Sequence, residues 1–360
     1  MNNLEIGSID LKPLRMELSD SFTVTKDAIG EMDNLMVTVK LKNGISGYGE
    51  VAPSESMSGE NLHASRQTLL QLGESIRGLS ADRYRAISHW MKEKEPGQPA
   101  ARCGLETAIM DAFCRSLKIP MWAFFGGNVK NGFVSDISLP LFPSDQAVEL
   151  AGQRITQGFN TLKINVGLDL EEEIAIIRAI HEKYSDLRFI FDANQSFTEE
   201  EAILFISEVI SLGCEVLLYE QPLQKEDLDG MARIRKEVSI PLVADESVIT
   251  LQDLQKVINK QAADVVNLKI MKSGLIETLD IAVAALAMDM KLMMGGMLET
   301  RLAVGCSLSV AAGLGSVSYF DLGTPLLMKN DLFSGGYDYS GSELRISEDH
   351  GLGIEPVVLN

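Results

Sequence analysis

The sequence has only four cysteines in 360 residues, Cys103, Cys114, Cys214 and Cys306, and no two of them form a C-x-x-C pair. Their scatter excludes a zinc knuckle and a secreted disulfide framework, leaving reduced, packed thiols. Basic residues are also scarce, with 32 Lys and Arg against 51 Asp and Glu and a formal charge of -19. A nucleic-acid partner is therefore not expected, because a phosphate backbone needs a basic face. No window approaches the roughly 20 apolar residues that span a bilayer. The opening MNNLEIGSIDLKPL lacks the basic start and apolar run of an export signal, so the expectation is a cytoplasmic protein without membrane contact. The histidines, His63, His89, His181 and His350, fall in helix-like stretches or the tail, which argues against a histidine metal site or base. No G-K-[ST] phosphate loop occurs, and no low-complexity tract or linker interrupts the chain.

What is present falls into two regimes. LMVTVKL at 35 to 41, the turn Asn43-Gly44 and GISGYGEVAP predict an antiparallel hairpin. From about Leu62 to Leu117 the period becomes helical, and LETAIMDAFCRSL places Leu105, Ala108, Ile109, Ala112 and Phe113 on one stripe. Residues 1-126 thus read as a small α+β domain. Beyond it, short apolar strands recur at VSDIS (134 to 138), TLKIN (161 to 165), RFIFD (188 to 192), VLLYE (216 to 220), LVADE (242 to 246), VVNLK (265 to 269), LMMGG (292 to 296) and SYFDL (318 to 322). Helix-like segments separate them, with Thr198 and Glu201, and Thr250 and Asp253, as capping pairs, while Glu171, Glu172 and Glu173 open another helix. Eight such units are many for an open sheet, and the first turn lacks G-x-G-x-x-G. The expected fold class is α/β: a modified TIM barrel over 127-323 with an N-terminal α+β capping domain. Residues 324-360, rich in Gly and turn formers, are expected to return and pack on barrel and cap.

In such a barrel the C-terminal strand ends face the active site. These strands deliver Lys163 and Asn165, Asp192 with Asn194, Glu220 with Gln221, Asp245 with Glu246, and Lys269 preceded by Asn267. Asp192, Glu220 and Asp245 lie on three successive strands, so closure brings three carboxylates toward one point. Three anions so placed repel unless something cationic neutralises them, and Mg²⁺ is the simplest oxygen-liganded candidate. The expectation is one Mg²⁺ per subunit. Lys269 would have its pKa lowered by that ion and by the other lysine and serve as a base, with Lys163 supplying positive charge across the cavity. A substrate carboxylate on the metal would then accept charge as the adjacent carbon loses its proton, giving an enediolate.

The stretches FDANQSF, YEQPL, VADES and NLKIMKSG resemble the enolase superfamily and its muconate-lactonizing subgroup, over almost the whole chain. GFNTLKINVG, GGMLETRLAVG and YFDLGTP resemble the dipeptide epimerases, the group that includes L-Ala-D/L-Glu epimerase. The resemblance implies an isomerase that epimerises a dipeptide, with Asp192, Glu220 and Asp245 on Mg²⁺ and Lys269 as the base on one face of the α-carbon. It also implies that Asp321 holds the dipeptide's amino group and that Glu299 and Met297 line the site. Asn194 and Glu246 would orient the metal ligands and Lys269. Self-association into a homo-oligomer is implied as well.

Two positions depart from the family pattern. Where relatives carry K-x-K, this chain has Lys163-Ile-Asn165, and asparagine cannot take a proton from carbon. Three explanations stand at this point: a variant that stops turnover, Lys163 replacing the missing amine, or a different reaction. Where relatives of the Ala-Glu type often carry D-x-D, this chain has Asp321-Leu-Gly323, which removes one carboxylate near the ammonium and adds room. Lys26, in DSFTVTKDAIGE, is either a partner for an acidic substrate side chain or ordinary solvated surface. The rival functions are another enzyme of the subgroup, such as an N-acylamino acid racemase or an o-succinylbenzoate synthase, and a silent ligand-binding homologue.

Overall fold

A computed structural model describes residues 3–23, 28–127, 132–140 and 144–357. The chain begins with an antiparallel three-stranded sheet of β1 (Ile6–Thr23), β2 (Ala28–Leu41) and β3 (Ser46–Val51). The turn between β2 and β3 passes through Gly44 at φ 90°, a left-handed conformation that glycine adopts without a side-chain clash. Helices Leu62–Ile76, Tyr84–Lys94 and Pro99–Leu117 accompany this sheet.

The helix Pro99–Leu117 departs from the single apolar stripe expected of it. It is buried almost all round, Arg102, Glu106, Thr107 and Asp111 included, because β3 packs on one side and the barrel segment around Ser273 and Ile276 on another. Contact with β3 is direct: a Cβ at Gly49 would lie 2.1 Å from Gly104 O. Gly49→Ala is therefore expected to cost roughly 1–3 kcal/mol or more by forcing helix and strand apart. Urea unfolding checks this, and an unchanged midpoint would refute the close approach.

Next come β4 (Phe133–Val134) and β5 (Ile137–Leu139), then β6 (Thr161–Asn165), β7 (Arg188–Asp192), β8 (Glu215–Glu220), β9 (Leu242–Ala244), β10 (Val265–Leu268), β11 (Lys291–Gly295) and β12 (Tyr319–Asp321). β5 to β12 form one parallel eight-stranded sheet in sequence order, with helices between the strands. Backbone and hydroxyl hydrogen bonds bridge the seam between its first and last strands. Asp136 N donates to Phe320 O (2.9 Å), and Leu322 N donates to Ser135 Oγ (2.9 Å). This is a modified TIM barrel of the α/β class with an N-terminal capping domain.

The expected strand at 134 to 138 is in fact two. β4 pairs antiparallel with the later strand Glu343–Ile346, and β5 alone enters the barrel. The break falls where Ser135 N donates to Ser342 O (2.9 Å) while Ser135 Oγ donates to Phe320 O (3.2 Å), so backbone and side chain face different partners. The remaining strands are β13 (Phe333–Gly335), β14 (Tyr337–Ser340), β15 (Glu343–Ile346) and β16 (Ile354–Pro356), in two small sheets. Among the described residues, no helix is long and apolar enough to cross a membrane.

Candidate active site

The barrel register sets the site. Asn165, Asp192 and Glu220 end β6, β7 and β8 at paired positions, so their side chains are delivered side by side. Asp245 follows β9 and Lys269 follows β10. The backbone turns sharply after the carboxylates: Asn194, Gln195 and Gln221 all have positive φ (42°, 68° and 34°). Strain of this kind persists where surrounding bonds over-determine it. Here Asn194 N donates to Asp192 Oδ1 (3.0 Å), and Gln221 Oε1 accepts from Asp245 N (3.0 Å) and Ser247 N (3.1 Å).

Lys163 is the hub of one half of the site. Its Nζ lies 3.0 Å from Asp192 Oδ2, 3.0 Å from Glu220 Oε2 and 2.8 Å from Asp321 Oδ2. Burial opposes the ammonium, but Asp192, Asp321 and Glu220 hold its pKa well above the ordinary lysine value. Burial and the Asp192 charge push the Glu220 carboxyl up to about 7. Asn267 Nδ2 donates to Glu220 Oε1 at 2.5 Å. Room for that amide comes from Gly295, where a Cβ would lie 2.6 Å from Asn267 Oδ1.

Asp245 is the hub of the other half. It accepts from Lys269 Nζ (2.6 Å) through Oδ2 and from Lys272 Nζ (2.8 Å) through Oδ1. Burial raises its pKa, yet the two lysines together draw it below the usual carboxylate range. Lys269 departs from the lowered pKa expected for it: burial opposes its charge, but the Asp245 carboxylate keeps it above the ordinary lysine value. The expectation of a lowered value rested on a divalent cation and the other lysine; Lys163 does act in that direction, but the Asp245 carboxylate acts more strongly the other way.

Lys272 was not singled out from sequence. It is buried, and it also donates to Asp245 O (2.6 Å) and Asn267 O (2.8 Å), fixing the β9 and β10 ends together. The available signal was a lysine three residues after Lys269, on the same short helical turn Ile270–Ser273, amid apolar residues.

The remaining expected residues fall around these hubs. Asn194 Nδ2 reaches Glu246 Oε1 at 3.5 Å, and burial followed by the Asp245 charge raises Glu246 to about 8. Glu299 is fully buried, accepts from Met297 N (3.0 Å), and is raised by burial to about 8. Met297 is half-buried, as is Asn165. Gly323 lies beside the first barrel strand, and Lys26 lies outside the described residues.

Glu50 of the cap was also missed, because its partners are distant in sequence. It accepts from Asn34 Nδ2 (2.7 Å), Thr300 N (3.0 Å), Thr300 Oγ1 (2.5 Å) and Ala303 N (3.1 Å), tying the cap to the loop that carries Glu299.

Burial gives Glu299 a stated pH signature. An acid whose folded pKa is about 8 instead of 4.5 binds its proton more tightly folded than unfolded, so its contribution to stability is lost as pH rises from about 4.5 to 8. Glu299→Gln is expected to raise the melting midpoint at pH 9 more than at pH 5. Equal shifts at both values would contradict the assignment.

Among the described residues no three His, Cys, Asp or Glu side chains converge as a ready metal cage. The three strand-end carboxylates instead grip lysine ammoniums, Lys163 between Asp192 and Glu220, and Lys269 and Lys272 on Asp245. Buried carboxylate oxygens gathered at adjoining strand ends are the donor type that suits a hard divalent ion.

Comparison with known proteins gives the family of the chain. The family described as mandelate racemase / muconate lactonizing enzyme, N-terminal domain, matches residues 16–126, and that described as enolase C-terminal domain-like matches residues 146–357. An L-Ala-D/L-amino acid epimerase of Populus trichocarpa is 32% identical over 97% of this chain and 85% of its own length. An aromatic dipeptide epimerase of Herpetosiphon aurantiacus is 31% identical over 97% of this chain and 98% of its own. Among solved structures, a dipeptide epimerase from Enterococcus faecalis V583, complexed with Mg and the dipeptide L-Leu-L-Tyr, superposes with a TM-score of 0.92. Its identity is 28%, over 97% of this chain and 99% of that one.

Proposed function

The chain belongs to the mandelate racemase/muconate lactonizing subgroup of the enolase superfamily, among the dipeptide epimerases, and is an isomerase of that kind; from this premise we propose that it removes the α-proton of a dipeptide's C-terminal residue with Lys269 as base. The observation carrying this reading is the pair of buried lysine–carboxylate hubs at adjoining strand ends, built from the residues that the chemistry requires.

Asp192, Glu220 and Asp245 would hold Mg²⁺. When bound, that ion would supply positive charge for the substrate carboxylate and, as a cation near Lys269, would lower the lysine's proton affinity. The remaining work belongs to the chain. Lys269, anchored at the end of β10, takes the α-proton from one face. Lys163, held by three carboxylates, stays protonated and gives fixed positive charge in a buried site where it is weakly screened. Lys272 and Asn267 hold Asp245 and Glu220 in position. Asp321, already an acceptor for Lys163, faces the substrate's amino end as its anionic partner. Asn165 leaves the opposite face without a base, so exchange from the Lys269 face outpaces inversion.

The test is a dipeptide library and a matched N-acylamino acid set in D₂O, with NMR of the α-proton and chiral analysis of the products. Dipeptides are expected to exchange in the presence of Mg²⁺, to stop with chelator and to resume when Mg²⁺ is restored. Exchange confined to acylated substrates would sink the dipeptide reading, and exchange indifferent to chelator would sink the metal.

A further inference from the structure

Asp136 is a buried acid that none of the chemistry above uses. It is 3% exposed, and neither of its carboxyl oxygens has a hydrogen-bond donor among the described residues. Its backbone is fixed at the barrel seam, where Asp136 N donates to Phe320 O (2.9 Å) and Ser135 Oγ accepts from Leu322 N (2.9 Å). That seam sets Asp136 beside Asp321. Burial first, and the Asp321 charge next, raise the Asp136 carboxyl well above its ordinary range, with Lys163 the nearby cation acting the other way.

Lys163 cannot settle this imbalance, because it is already committed to Asp321, Asp192 and Glu220. A buried carboxyl with two open oxygens against a second acid is unfavourable unless a cation or a proton joins it. A Cβ at Gly323 would lie 3.2 Å from Asp136 O and 3.3 Å from Ile137 Cγ1, so residue 323 sits on the same seam and, as glycine, puts no side chain into it.

We propose that Asp136 and Asp321 together form the subsite for the primary ammonium of the substrate, with Asp136, just before the first barrel strand, supplying the second negative charge that Gly323 does not. The inference rests on the dipeptide reading above and adds a specificity residue to it. An ammonium set between the two carboxyls makes charge-assisted hydrogen bonds to both. An N-acylated amine carries no charge and leaves both acids without a partner, so the subsite selects free amines by penalising their acylated counterparts.

The probes are the dipeptide that exchanges fastest in the screen above and its N-acetyl derivative, titrated calorimetrically into the protein with Mg²⁺ present. The native protein is expected to bind the free amine more than about tenfold tighter than the acetylated form. Asp136→Asn is expected to erase most of that ratio by weakening the free amine alone, and Asp136→Asn combined with Gly323→Asp to restore much of it. Because the substitution removes one acid from beside another, Asp136→Asn is expected to melt no lower than the native protein at pH 8.

Equal weakening of both probes, or of neither, overturns the assignment of Asp136 while leaving the dipeptide reading intact. Lowered melting together with equal weakening overturns it too, by making Asp136 a structural residue. If no dipeptide exchanges in the screen, the functional reading itself fails, and this subsite falls with it.

Discussion

Asn165→Lys is expected to raise the rate of α-carbon inversion about 100- to 10,000-fold, the usual contribution of a positioned base, while changing one-face exchange much less. Inversion needs a proton carrier on each face of the planar intermediate. On the proposed reading Lys269 serves one, and on the other the paired strand positions place an amide, half-buried at the end of β6 beside Asp192. An amide neither takes nor gives a proton at neutral pH. The scaffold has the charge to accept another amine, since among the described residues one ammonium, that of Lys163, pairs with Asp192, Glu220 and Asp321. The comparison to make is deuterium incorporation against loss of optical purity, in native and substituted protein of equal melting midpoint. Should the ratio of the two rates stay where it was, Asn165 is not the missing base position.

Lys269→Arg is expected to abolish exchange, with a loss of at least about 100-fold, while the protein remains folded. Truncating this lysine would leave Asp245 with only Lys272 and confound chemistry with the cost of a partly unpaired buried charge, on the order of 3–5 kcal/mol. Arginine keeps the positive charge against Asp245 but cannot be deprotonated, so it separates the two roles. Single-turnover exchange in D₂O, with a thermal melt as control, reads the result. Retention of exchange within a few fold would remove Lys269 from the reaction and leave the proton to another group.

Most of the barrel was legible because its strands are buried on both faces and read as continuous apolar runs. TLKIN and RFIFD coincide with β6 and β7, residue for residue. The run at 242 to 246 stops earlier, at Ala244, because Asp245 N turns to Gln221 Oε1 and leaves the ladder. The apolar stripe of the helix Pro99–Leu117 was legible, but its full burial was not. Burial of its polar side is set by neighbours contributed from β3 and from residues near 273 to 276.

The sequence by itself determined which side chains arrive at the strand ends, since the helix–strand repeat and the ends of its apolar runs place Lys163, Asp192, Glu220, Asp245 and Lys269 with no knowledge of the closed barrel. Only the tertiary structure decided who touches whom. Lys163 meets Asp321 across 158 positions, Glu50 caps Thr300 across 250, and Asp136 is set beside Asp321 by the seam between the first and last strands. Those contacts depend on the stagger at which the barrel closes and on the cap folding over it, which no local pattern encodes.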